Sequence, residues 1–238
     1  MKRLALGVAL AFTLPVDAQE LPPAQVASIA AAQTAAWKGS AKPVREIVPL
    51  FGRTLAFDLP RPFVLSYQVQ SPRQFLQESA PIGERSENWT RLATVNAFAN
   101  AGRSPTSTAD LSEQLFRPRA CTTGPIYQNL GEREFAPGIK VTTVSIGCAS
   151  LPPGAYPAAL AGAGEQDFAW LFRDATNVYT LKLSVRGKPW PAGRPPIPPA
   201  SAEKQLAVFG NVLLCAPDAT DLPCRTVESF NVARRSAK

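Results

Sequence analysis

The chain has no histidine, and its only methionine is Met1. Without an imidazole it cannot by itself build a Ser-His-Asp triad, a Cys-His pair, a histidine zinc site or a haem His ligand. Charge is sparse, 18% of 238 residues, and no block of like charges stands out. The four cysteines contain no Cys-x-x-Cys, so the usual thiol oxidoreductase signature is missing. Beyond the first 16 residues, no apolar run approaches the ~20 residues of a spanning helix. No internal repeat is visible, and no metal or cofactor motif is found.

Apolar residues make up 45% of the chain and prolines number 24. At roughly 100 to 200 residues per domain, this length suits one domain with a decorated terminus. Lys2 and Arg3 precede an apolar run from Leu4 to Val16, which ends in Val16-Asp17-Ala18-Gln19. A charged start, a short apolar stretch and a small-x-small site form the pattern of a secretory signal peptide over residues 1–18. The mature protein is then expected to be periplasmic or secreted, with no transmembrane segment after cleavage. In an exporting compartment Cys121, Cys148, Cys215 and Cys224 are expected to pair as structural disulfides. Three connectivities are open. Cys121 with Cys148 and Cys215 with Cys224 is favoured, because the latter pair brackets a short loop that closes at low entropic cost.

Ala24 to Lys38 is Ala-rich and reads as a thin-faced helix, loosely packed, with its connector completing residues 19–44. In Phe63 to Gln70 the odd positions Phe63, Leu65, Tyr67 and Val69 alternate with polar ones, the period of a half-buried strand. Arg73 to Ala80 reads as its hairpin partner, and Trp89 to Phe98, apolar on both faces, as a central strand with Trp89 in the core. Thr106 to Thr108 offer caps to a helix carrying Leu111, Leu115 and Phe116, which Pro118 stops. Strands follow at Ile126 to Phe135 and Ile139 to Cys148, then a surface loop from Leu151 to Gly164. Phe168 to Phe172 and Val178 to Val185 form a hairpin. In its second strand Tyr179, Leu181, Leu183 and Val185 face inward, with Lys182 and Arg186 on the solvent face. Lys188 to Pro199 holds six prolines and reads as an extended crossing. Ser201 then caps a helix running to about Cys215. The order predicts an α+β fold, an antiparallel β-sheet with helices packed on it, in a single disulfide-stabilised domain over residues 45–238.

Gly83-Glu84, Asn88-Trp89-Thr90, Thr94 and Phe98, with the strand ending at Cys148 and the segment from Asn177 to Arg186, resemble a pattern in uncharacterised secreted proteins of Gram-negative bacteria. The resemblance covers about residues 45 to 216, and the element order is similar to the Mog1/PsbP fold. It implies an antiparallel sheet flanked by helices and transfers no catalytic residue.

Three constellations bear on function. Ser201-Ala-Glu-Lys204 matches the Ser-x-x-Lys motif of penicillin-binding proteins, but no Lys-Thr-Gly accompanies it and a helix cap explains Ser201. Glu132 and Glu134, two apart on a strand, share a face and could serve acid-base chemistry or simply be solvated. Arg173, Lys182, Arg186, Lys188 and Arg194 cluster on one hairpin and the following linker, a candidate surface for an anionic partner. Nucleic acid is not expected, because no basic helix or exposed aromatic series occurs. The sequence points to an exported binding or envelope-accessory protein without chemistry of its own. The alternatives are a His-free hydrolase using carboxylates or a Ser-Lys pair, and a structural subunit of an envelope complex.

Overall fold

The structure, a computed structural model, describes residues 18–85, 88–118, 121, 123–152 and 161–216. The expected signal peptide lies outside the described residues except for Ala18, as does most of the loop after Leu151. The described chain begins with β1 (Gln19–Glu20), α1 (Pro23–Gly39), β2 (Val44–Leu50), β3 (Arg53–Leu59), β4 (Phe63–Gln70), β5 (Gln74–Pro81) and β6 (Arg91–Phe98). It continues through α2 (Thr108–Phe116), β7 (Thr123–Ala136), β8 (Ile139–Ser150), β9 (Gly164–Arg173), β10 (Val178–Gly187), α3 (Ala202–Leu206) and β11 (Leu213–Cys215). Eight strands form one antiparallel sheet in the order β1-β4-β5-β6-β10-β9-β8-β7. A second sheet, β11-β3-β2, is also antiparallel. The fold is therefore mostly antiparallel sheet with a few helices.

The alternation of β10 decides where the main core sits. Tyr179, Leu181 and Leu183 share a face with Phe172, Trp170 and Phe168 of β9 and with Ala97, Val95 and Ala93 of β6. Against that face pack Val48, Leu55, Phe57 and Leu59 of the small sheet, Trp37 of α1, and Leu206 and Phe209 at α3. The central position expected for the strand ending at Phe98 is observed, since β6 lies between β5 and β10. Trp89 is buried, but in the turn before β6 rather than in the strand.

Several expectations are corrected. The small sheet was not foreseen: charges and Pro49 interrupt the apolar pattern of β2, and Leu213 to Cys215, assigned to a helix, pair with β3. The C-terminal helix is only Ala202–Leu206, because the chain tightens into a 3-10 turn at Ala207–Phe209 and reverses at Gly210. Ser201 makes no cap bond. Its hydroxyl donates to the Pro198 carbonyl. A register shift between Leu65 and Tyr67 breaks the alternation of β4, so Leu65 pairs with Ser79 and Tyr67 with Glu78 on opposite faces. Helix α1 is docked, not loose: the Trp37 indole donates to the Phe63 carbonyl at 2.7 Å, and Gln33 accepts from the Leu65 amide.

Candidate functional site

A cleft of about 980 Å³ opens between the segment Gly102 to Ala109 and the β7–β8 hairpin. Its first wall is held by Arg173 at the end of β9. The guanidinium donates to the carbonyls of Gly102 (2.9 Å), Ser104 (2.5 Å) and Thr106 (2.7 Å). Gly102 has no alternative at this position, because a Cβ there would clash with the backbone of Asp174 and Asn177. Asp174 caps the adjacent turn, accepting from the amides of Thr176 and Asn177, and pairs with Arg53 at 3.2 Å. Burial pushes the Asp174 carboxyl up, but those amides and Arg53 outweigh it and hold its pKa low. Ser107 then caps α2 by accepting from Asp110 N at 3.1 Å.

The opposite wall is the β7–β8 hairpin, where register pairs Glu132 with Thr142 and Glu134 with Lys140. Both carboxylates thus share the face foreseen for them, and both line the cleft. Lys140 donates to Glu132 at 2.8 Å. Burial raises the Glu132 pKa, yet the bonds from Lys140 and Thr108 prevail and lower it. Glu132 is therefore held as an anion and makes a poor proton donor. Ser201 and Lys204 do not line this cleft.

The five cations expected to form one surface are not one surface. Arg173 is half-buried at the cleft wall, and only Lys188 and Arg194 are exposed. Lys182 and Arg186 point away from Leu181 and Leu183, as the alternation requires, but that second sheet face is covered and they retain 8% and 7% exposure. Arg186 Nε and Nη2 both donate to Glu165 Oε2, at 3.0 and 2.5 Å, and the Trp89 ring stacks 3.5 Å from the guanidinium carbon. Lys182 Nζ lies 3.5 Å from Asp167 Oδ2. Glu165, Asp167 and Glu78 of this face were missed by the sequence reading. A signal existed: counting outward from the Asp174 to Asn177 turn puts Arg186 directly opposite Glu165.

Cys121 and Cys148 are disulfide-bonded, fastening the chain before β7 to β8. Cys224 lies outside the described residues, and with it the other expected bridge. The proline-rich crossing is fixed to its own sheet. Ile197 exchanges hydrogen bonds with the Gln166 side chain through both N–H and carbonyl, and the Trp190 ring closes over Gly164. Among the described residues no group of three or more His, Cys, Asp or Glu could hold a metal ion, and no helix is long and apolar enough to cross a membrane. The chain matches no protein-family model and no curated protein.

Proposed function

We propose that the protein is exported and works by binding, with the cleft between the Gly102 to Ala109 segment and the β7–β8 hairpin as its ligand site. The observation that carries this reading is how the cleft's charged groups are used. Arg173, Asp174 and Glu132 are engaged with the protein itself and give the cleft a fixed wall, an arrangement suited to recognition by preorganisation. Arg133, Glu134 and Asn129 remain exposed along the rim. They fit a small polar molecule that carries an anionic group and a hydrogen-bond donor. Export is supported by the N-terminal pattern and by the disulfide, which is compatible with a periplasmic or extracellular location. Cleavage after Ala18 leaves β1 intact, with Gln19 paired to Gln70.

A panel of amino acids, short peptides and sugars, followed by amide chemical shifts, tests the site. Perturbations are expected at 129–134 and 138–140 and should vanish in a doubly substituted Arg133→Ala, Glu134→Ala protein. Perturbations centred elsewhere overturn the assignment. One observation favours the hydrolase as a second reading: Glu132 and Glu134 line the same cleft. Turnover of any substrate in a hydrolase panel, lost in Glu134→Gln with unchanged melting temperature, would establish it.

A further inference from the structure

The covered second face of the large sheet holds a buried carboxyl, Glu78, that the cleft does not use. Register sets Tyr67, Glu78, Thr94 and Lys182 in one row across β4, β5, β6 and β10. At ~4.8 Å between strands, Glu78 and Lys182 stand about 10 Å apart at their backbones, with Thr94 between them. Among the described residues, the charged and titratable groups on the face of Glu78 are Tyr67 from β4, Lys182 and Arg186 from β10, and Glu165 and Asp167 from β9. Tyr67 is itself bonded to Glu20 of β1. From the turn before β6, Trp89 lies over Arg186, and Thr90 accepts the Arg186 amide at 2.8 Å. Lys182 and Arg186 are engaged with Asp167 and Glu165. Glu78 is 6% exposed, and among the described residues the buried Thr94 hydroxyl beside it has no hydrogen-bond partner.

We propose that Glu78 is a proton-operated latch on this face. Protonated, it sits neutral beside Thr94 and leaves Lys182 to Asp167, and Arg186 to Glu165 and the Trp89 ring. Ionised, after releasing its proton to solvent, it competes for the same two cations and loosens the Trp89 turn from Arg186. Burial supports the direction, pushing Glu78 up to about 7, with Lys182 opposing, Glu165 adding and Arg186 opposing. Because the unfolded chain releases this proton near 4.5, the folded state loses relative stability as pH rises from about 4.5 through about 7.

Carboxyl carbon NMR of the purified protein with labelled glutamate, assigned through the backbone of the wild-type chain, should give Glu78 a midpoint near 7. A midpoint near 4.5 overturns the proposal. The wild-type melting temperature should fall by roughly 5–10 °C between about pH 5 and about pH 8, and Glu78→Gln should flatten that slope. An unchanged slope in a folded Glu78→Gln protein counts against it. Trp89 emission, taken as the difference between wild type and Trp89→Phe, should change with the same midpoint. Constant emission across that range removes the latch, even if Glu78 titrates as expected.

Discussion

Arg173 donates to three carbonyls of one segment, so truncating it strands acceptors along the cleft wall. Arg173→Ala should cost about 2–4 kcal/mol in chemical denaturation and broaden the amide signals of 102–108. Arg173→Lys should recover only part of this, since one ammonium cannot span the fork of contacts. Arg186 and Lys182 invert an expectation drawn from alternation alone. A solvent face would tolerate charge reversal, whereas the observed face places each cation beside a buried carboxylate. Reversing both to Glu should destabilise by at least about 3–5 kcal/mol, comparable to Leu183→Asp, because the partner carboxylates lose their compensation. A melting temperature within a degree or two of wild type would show that this face is open to water.

Among the elements, the bridge from Cys121 to Cys148 closes a separation of 27 residues that contains β7 and most of β8. Chain-entropy estimates put its contribution at about 3.5 kcal/mol. A doubly substituted Cys121→Ser, Cys148→Ser protein should show that loss in denaturant midpoint without a change in sheet content. Helix α2 depends on its cap, and Ser107→Ala should cost about 1 kcal/mol. The hairpin of β9 and β10 was legible because β10 alternates cleanly, Phe168 to Phe172 is a short apolar run, and the turn residues fix the register. β2, β3 and β11 were not legible, because β11 is three residues long and gains its conformation only by pairing with β3. The same limit applies to α3, whose apolar positions continue past the point where Gly210 turns the chain.

At the scale of the molecule, the carboxylates divide into two groups with opposite pH signatures. Asp174 and Glu132 have lowered pKa values, so their stabilisation is present above about pH 4 and is lost as pH falls further. Glu78 and Glu165 are raised by burial, Glu165 further by Asp167, and the folded state binds their protons more tightly than the unfolded one. Stability should therefore peak between about pH 4 and about pH 5 and decline on both sides. Calorimetry across about pH 2.5 to 8 tests this, and a plateau extending to neutral pH would contradict the burial of Glu78.

Composition and local pattern determined a good deal alone: the absence of imidazole chemistry, the dominance of antiparallel strands and the central place of β6. These follow from residue type, period and spacing, which are local properties. The pairing of Glu132 and Glu134 on one face was legible for the same reason. The Cys121 to Cys148 bridge was the favoured one of three open pairings, and the structure chose it. Only the tertiary structure decided what covers each face. Alternation says which side chains share a side of a sheet, but whether that side meets water depends on segments distant in sequence. The turn carrying Trp89 and the pairing of β9 with β10 enclose Arg186. The Gly102 to Ala109 segment, folded over the β7–β8 hairpin, turns two unremarkable glutamates into the wall of a cleft.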